Sequence, residues 1–256
     1  NVHLYVPSAD AFLVATGINR DNDFYNIDRE RLDQLISNCR ITDHSYRNTY
    51  VSKTTLEQGW YLRKMAPNVK GDAYAWLDPS AAYVNARSFK AMIDDLVEPF
   101  LSVPIDVVAG IDAAGFVLGA ALAMRLDKGF LTIRKSGKLP VPTDRVEFVN
   151  YTQRTQALEM REPAFQSSTR VLLVDQWVET GGTMGAAIEL IERQGGVIEG
   201  IVAICIENTR TGQLLRSKYL CSTSVLPGTD YQLQCDAKYL DFFDDFNWQV
   251  VLPNTV

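Results

Sequence analysis

The sequence predicts an α/β protein with a central, mostly parallel sheet flanked by helices. Two stretches carry this prediction, residues 105–133 and residues 171–191. Each has an aliphatic, β-branched run of the kind found in strands buried on both faces, followed by a turn and a helix-period pattern. Strands that alternate with helices in this way are typical of parallel sheets, because parallel neighbours need a crossover connection.

The first stretch predicts a complete βαβ unit. Residues 105–111 form a buried strand, residues 112–116 a turn, residues 117–126 a helix of small and apolar side chains, and residues 130–133 the next strand. Because a helix joins them, the two strands are predicted to be parallel neighbours.

Three cations directly follow the second strand of this unit. Arg134, Lys135 and Lys138 would lie at the carboxyl end of a parallel strand, where open α/β sheets bind their ligands. Arginine suits bidentate phosphate contact, and the turn backbone at Ala113 and Ala114 adds N–H donors. The segment predicts a site of pyrophosphate size, and a solvated charged loop is the alternative interpretation.

The second stretch predicts a phosphate site. The strand at 171–174 ends at Asp175, and a helix with apolar positions from Met184 to Ile191 stops before Gly195. At the start of that helix, free N–H groups and the positive end of the dipole favour an anion, and glycine lets the backbone approach it. The residues of this phosphate cradle are Thr180, Gly181, Gly182 and Thr183. Asp175 would accept hydrogen bonds from sugar hydroxyls, whereas an ordinary glycine-rich turn is the alternative.

An acid followed by Thr-Gly-Gly-Thr resembles the phosphoribosyl diphosphate (PRPP) motif of type I phosphoribosyltransferases. Neither a Gly-Lys-Ser/Thr ending nor a Gly-x-Gly-x-x-Gly spacing is present, so the segment is neither a Walker A loop nor a dinucleotide fingerprint. Residues 110–116, 134–140 and 174–184 are similar in order and spacing to the adenine phosphoribosyltransferases. Residues 76–80 occupy the place of that family's base-binding strand, and the resemblance covers residues 73–226.

The resemblance implies a type I phosphoribosyltransferase fold with additions at both ends. It assigns residues 1–72 to an N-terminal hood over the base, residues 73–226 to the core and residues 227–256 to a C-terminal extension. The pattern within the hood predicts a strand at 11–16 and a helix at 28–39. Aromatic residues at helical spacing in the extension predict packing on the body or on a partner subunit.

The resemblance also implies a reaction, in which adenine and PRPP give AMP and pyrophosphate with Mg²⁺ bound through PRPP and no protein metal site. PRPP would be held by the cradle with Asp175, Gln176, Ala113, Ala114, Arg134, Lys135 and Lys138. Trp76 and Leu77 would contact the base. The family's counterpart of Lys138 is reached across a dimer interface, so a homodimer is implied.

Three positions depart from the family pattern. The second acid of the motif is Gln176, the arginine of the pyrophosphate loop is Ala114, and the arginine of the adenine-binding strand is Leu77. Gln176 keeps hydrogen-bonding capacity but lacks the charge that helps hold a magnesium-bound substrate. These changes predict weaker binding of Mg·PRPP and a different contact to adenine.

The family's proton donor in the loop over the site is also replaced. Counting back from Glu159 places Thr152 and Gln153 at the usual Glu-Tyr pair, and Glu147 could serve only if the loop is shifted. Glu179 stands where the family has a small residue and where the related 6-oxopurine enzymes carry an aspartate proposed as general base. We therefore predict Glu179 as the catalytic residue, with a solvated loop glutamate as the alternative.

Composition is that of a globular protein and excludes other classes of function. The chain has 256 residues, 46% of them hydrophobic and 22% charged, and a net charge of −6, which disfavours nucleic-acid binding. No apolar run approaches the roughly 20 residues of a membrane span. Four dispersed cysteines and two histidines suggest neither a metal cage nor a disulfide framework. No signal peptide is evident, so the expected location is the cytoplasm.

Three functional hypotheses remain open. The leading one is a purine phosphoribosyltransferase for adenine, active in purine salvage. The second keeps the transferase chemistry with another base. The third is a catalytically impaired paralogue that binds PRPP or a nucleotide through its cradle.

Overall fold

The computed structural model describes residues 58–66, 78–149, 154–237 and 249. The chain divides into two compact units, Asn1–Leu56 and Glu57–Val256, and the described residues all belong to the second. The strand predicted at 11–16, the helix predicted at 28–39 and the aromatic pattern of the tail lie outside the described residues. The predicted domain boundaries at residues 72 and 226 stay predictions.

The order of helices and strands is that of an α/β protein. The helices are α1 (Ser80–Val84), α2 (Ala86–Val97), α3 (Ala114–Leu126), α4 (Gly182–Arg193), α5 (Arg210–Lys218) and α6 (Asp230–Ala237), with 3₁₀ turns at Trp60–Lys64 and Glu98–Phe100. The strands are β1 (Val107–Ile111), β2 (Gly129–Lys135), β3 (Thr143–Val149), β4 (Thr155–Arg161), β5 (Arg170–Val174), β6 (Trp177–Val178), β7 (Val197–Ala203), β8 (Cys205–Ile206) and β9 (Cys221–Thr223).

One seven-stranded sheet organises the described part of the chain, in the order β3-β4-β2-β1-β5-β7-β9. The strands from β2 to β9 in this order pair in parallel, and β3 and β4 add an antiparallel hairpin at one edge. Strands β6 and β8 form a separate parallel pair. The predicted parallel pairing of the two strands in the βαβ unit is confirmed, since Val107 to Ile111 run beside Gly129 to Ile133.

The parallel part of the sheet is buried on both faces, because its strands alternate between two apolar clusters. On β1, Val108 packs in one cluster with side chains of α2 and α3, whereas Ala109 and Ile111 pack in the other with α4. Burial on both sides explains why the parallel strands read as continuous apolar runs. The predicted α/β class, with a central sheet flanked by helices, is therefore confirmed.

Local boundaries differ from the sequence-based expectations at two places. Helix α3 begins at Ala114 rather than at residue 117, so the predicted turn is shorter. Gly115 permits this early start, because a Cβ there would lie 2.7 Å from the carbonyl oxygen of Val174. Strand β2 continues to Lys135, which makes Arg134 and Lys135 strand residues. Within the described ranges, no helix is both long and apolar enough to cross a membrane.

Candidate functional site

A cavity of about 310 Å³ opens at the carboxyl ends of β1 and β5. Its lining comes from the loop after β1, from the segment between β5 and α4, and from side chains of the neighbouring strands. The predicted site residues in this lining are Ala113, Ala114, Lys135, Asp175, Gln176, Glu179, Thr180, Gly181, Gly182 and Thr183. The fold thus brings the two predicted anion segments to one cavity, at the sheet edge where α/β folds bind ligands.

Four predicted site residues are absent from that lining. Trp76 and Leu77 lie outside the described residues, so their predicted contact with the base stays a prediction. Arg134 and Lys138 belong to the segment beside the cavity and do not line it.

The phosphate cradle is a helix start without a side-chain cap. Gly181, the N-cap residue, adopts a left-handed conformation with φ of 81°, and in the described part of the chain this helix start has no side-chain cap. Such N–H groups are available to an anion. A Cβ at Gly182 would lie 2.4 Å from the carbonyl oxygen of Val149, and one at Gly181 would lie 2.3 Å from Thr211 Cγ2. Both glycines are therefore required by close packing as well as by access to the backbone.

Asp175 is held at the end of β5 by two backbone contacts. Its N–H donates to the carbonyl of Val202 at 3.0 Å. Its Oδ1 accepts the N–H of Gln176 at 2.7 Å. Burial raises the pKa of Asp175 to about 7, against the opposing effect of that hydrogen bond. A carboxyl with this pKa changes its charge near neutral pH.

The two residues after Asp175 are tied to side chains far away in the sequence. Gln176 Nε2 donates to Tyr83 Oη at 3.1 Å, and Tyr83 belongs to α1. Trp177 Nε1 donates to Oε1 of the buried Glu207 at 2.9 Å. These contacts fix the segment that leads into the cradle. Nothing in the residue patterns distinguished Tyr83 or Glu207, because each contact depends on tertiary structure.

Asp112 links the loop after β1 to the end of β2. Its Oδ2 lies 3.4 Å from Arg134 Nε and accepts the N–H of Lys135 at 3.4 Å. Arg134 also donates through Nη1 to the carbonyl of Lys138 at 3.2 Å. Arg134 therefore connects the loop after β1, the end of β2 and the segment of Lys138. Of the three predicted cations, Lys135 is the one that lines the cavity.

Glu159 anchors the loop that carries Lys138. Only 5% of this residue is exposed, and its Oε1 accepts the N–H groups of Lys138 and Leu139 at 2.6 and 2.7 Å. Burial alone would raise the pKa of Glu159, but backbone hydrogen bonds from Gly137, Leu139 and Lys138 hold it below its ordinary value. Sequence reasoning used Glu159 only as a counting reference; a carboxylate inside an apolar strand pattern was the available signal.

The two candidate glutamates for proton transfer have different positions. Glu179 lines the cavity, and its carbonyl accepts a hydrogen bond from Thr209 Oγ1 at 3.1 Å. Glu147 lies on β3 with 64% of its side chain exposed and pairs with Arg145 at 2.8 Å. It is absent from the cavity lining. Thr152 and Gln153 fall outside the described residues.

Comparisons with known proteins match the part of the chain that contains the sheet and the cavity. The family model of the phosphoribosyl transferase domain matches residues 86–235. The chain is 42% identical over 141 residues to an adenine phosphoribosyltransferase of Dinoroseobacter shibae, covering 55% of this chain and 77% of that protein. It is 36% identical over 175 residues to the Chromobacterium violaceum adenine phosphoribosyltransferase, covering 67% of this chain and 90% of that protein. Among solved structures, the APRTase of Giardia lamblia complexed with 9-deazaadenine superposes with a TM-score of 0.59 at 29% identity, covering 66% of this chain and 97% of that one.

Proposed function

This chain belongs to the phosphoribosyl transferase domain family, and from that premise we propose that it converts adenine and PRPP to AMP and pyrophosphate in purine salvage. The membership bears out the resemblance inferred from the sequence motifs. The observation that carries the proposal is the shared cavity, which is lined by the start of α4, the loop after β1 and Asp175. This lining supports two anion subsites with an acceptor for hydroxyls in the same cavity.

Each part of PRPP has a matching set of groups in this cavity. The N–H groups at the start of α4 bind the 5′-phosphate, supported by the helix dipole and the threonine hydroxyls. The carboxylate of Asp175 accepts hydrogen bonds from the ribose hydroxyls. Lys135 and the backbone of Ala113 and Ala114 face the pyrophosphate. Charge develops on pyrophosphate as it leaves the ribose, so preorganised donors there lower the barrier.

Glu179 acts on the base in this proposal. It lies in the cavity lining between the segment of Asp175 and the cradle, where a purine joined to C1 of the ribose would have to approach. A carboxylate there accepts the proton of the purine imidazole ring as the new bond forms at nitrogen. This role replaces the missing carboxylate of the loop.

Magnesium fits this site as a companion of PRPP. The cavity offers Asp175 and the amide oxygen of Gln176, and the described ranges contain no group of three or more metal-ligating side chains. Mg²⁺ brought in by PRPP would supply charge neutralisation at the diphosphate. Asp175 and Gln176 would face the hydroxyls next to it.

We further propose a homodimer located in the cytoplasm, where both substrates of purine salvage are available. Helix α3 supports the dimer because its outward face is apolar: Met124 is 82% exposed and Val117 is 43% exposed. Exposed apolar side chains on one helix face are typical of surfaces that another chain covers. The position of Lys138 outside the cavity lining is consistent with a contribution to a second subunit's site.

The decisive experiment is a turnover assay with Mg·PRPP and a panel of purine and pyrimidine bases. We expect AMP and pyrophosphate to form with adenine in preference to the other bases. Turnover of another base alone would reassign the substrate. Binding of PRPP and AMP without turnover of any base would favour the non-catalytic alternative, which Gln176 and Ala114 motivate because each lacks a charge that the family uses.

A further inference from the structure

The contact between Tyr83 and Gln176 joins two distant parts of the chain at the edge of the cavity. Gln176 Nε2 donates to Tyr83 Oη at 3.1 Å across 93 positions of sequence. The Tyr83 ring packs edge-on against Phe89, with centroids 5.5 Å apart. Burial raises the pKa of Tyr83, which keeps the phenol neutral. The hydroxyl that receives the amide is therefore itself held in place.

The rest of Gln176 is equally constrained. Its N–H donates to Asp175 Oδ1 at 2.7 Å, and its carbonyl accepts the N–H of Ile204 at 2.9 Å. Among the described residues, no donor reaches its side-chain oxygen, Oε1. Gln176 lines the cavity beside Asp175. Because the amide group is planar, fixing Nε2 on Tyr83 also fixes the direction of Oε1.

We propose that Tyr83 is a positioning residue, which orients the Gln176 amide so that Oε1 accepts a hydrogen bond from a ribose hydroxyl beside Asp175. This inference rests on the proposed function. A glutamine side chain has several rotatable bonds, and ordering it on binding carries an entropic cost. When Tyr83 orders it in the free protein, that cost is met before the ligand arrives. Gln176 can then serve the ribose without the charge of a second acid.

The test compares Tyr83→Phe with wild type by calorimetry, using AMP and 2′,3′-dideoxy-AMP. Phenylalanine keeps the ring against Phe89 and removes only the hydroxyl. We expect Tyr83→Phe to weaken AMP binding by about three- to tenfold, the usual range for one hydrogen bond. Dideoxy-AMP, which lacks both hydroxyls, should bind the two proteins equally. A general structural defect would weaken both ligands alike.

A double-mutant cycle with Gln176→Ala isolates the pair. In the Gln176→Ala background, Tyr83→Phe should have less than about a twofold effect on AMP binding, because its partner is gone. Tyr219→Phe is the matched control, since Tyr219 bonds Glu192 at 3.4 Å and is absent from the cavity lining. It should leave AMP binding unchanged.

The outcomes separate this inference from the proposed function. If Tyr83→Phe binds AMP as tightly as wild type does, the positioning role alone is overturned. An equal loss for AMP and dideoxy-AMP, or an effect that persists with Gln176→Ala, would also overturn it. Wild-type protein that binds neither AMP nor PRPP would overturn the proposed function and this inference with it.

Discussion

Asp175 changes charge in the pH range in which the protein would work. Its pKa of about 7 lies above the ordinary value because of burial. In the folded protein without ligand, the ionised form is therefore disfavoured. Deprotonation of Asp175 lowers folding stability as pH rises from the pKa of Asp175 in the unfolded chain to about 7. The ionised form is the stronger acceptor for ribose hydroxyls. We expect AMP affinity to increase between about pH 6 and pH 8, with proton release on binding at the lower pH.

Asp175→Asn is the control for this pH dependence. The phosphate of AMP also titrates near pH 6, but its titration affects the wild-type and Asp175→Asn affinity profiles in the same way. The difference between the two affinity profiles, measured by calorimetry in buffers of different ionisation enthalpy, therefore isolates Asp175. Parallel profiles would show that the charge of Asp175 does not contribute to binding.

Glu179 provides the sharpest test of proton transfer. Glu179→Gln keeps the size and the hydrogen-bonding reach of the side chain but removes its basicity. We expect kcat to decrease by about 10²-fold or more, with little change in PRPP affinity, because the loss falls on the chemical step. Steady-state kinetics with adenine measures kcat, and calorimetry measures the PRPP affinity. Near-normal kcat would reject the role and direct attention to Glu147 or Glu159.

At the scale of a single helix, the start of α4 can be tested with two matched glycine substitutions. A Cβ at Gly182 would lie 2.4 Å from the Val149 carbonyl oxygen, whereas one at Gly185 meets nothing within 4 Å. Gly182→Ala should displace the cradle from β3 and weaken AMP binding at least about tenfold, because the anion site depends on backbone position. Gly185→Ala should bind AMP normally and increase the free energy of unfolding by about 0.5–1 kcal/mol. Equal affinities of the two variants would contradict the close-packing argument.

The loop between β2 and β3 depends on one buried carboxylate. Because hydrogen bonds hold the pKa of Glu159 below its ordinary value, its stabilising effect is present at neutral pH and is lost as pH falls below about 4.3, the unfolded value. We expect Glu159→Gln to lower the free energy of unfolding at pH 7 by about 1–3 kcal/mol, because an amide oxygen is a weaker acceptor for the loop N–H groups. Urea unfolding at two pH values measures this.

Acid conditions provide the control for Glu159. The difference between wild type and Glu159→Gln should shrink near about pH 3.5, since the carboxyl is then largely protonated in the unfolded chain. A difference that stays constant from neutral to acidic pH would show that packing, and not charge, explains the effect.

At the scale of the whole molecule, the apolar outward face of α3 predicts self-association. Met124 is 82% exposed, so Met124→Glu leaves the fold of the single chain intact and places a charge on the proposed interface. We expect wild type to sediment as a dimer and Met124→Glu to shift toward monomer, because an unpaired charge is costly to bury at an interface. Leu214→Glu is the matched control, since Leu214 lies on α5 and is 60% exposed, and it should remain dimeric. A monomeric wild type would contradict the homodimer.

The parallel core could be predicted because its strands are buried on both faces and its turns carry glycines. The cradle and Asp175 followed from the same local order of strand, turn and helix. The β3–β4 hairpin was not predicted, since its strands mix charged and apolar residues and one face is exposed. Tyr83 and Asp112 were missed for another reason: their hydrogen bonds join segments far apart in sequence, and no local pattern encodes such a pair.

The acid-amide pair at the end of β5 also has a consequence for inhibitor design. The ribose becomes cation-like as pyrophosphate leaves, so a positively charged ring analogue imitates it and is attracted by nearby carboxylates. Asp175 supplies one such charge here, it is only partly ionised near neutral pH, and Gln176 adds none. A cationic analogue should therefore gain less from this cavity than from one with two acids. Neutral analogues that keep both hydroxyls should be the more selective ligands for this protein.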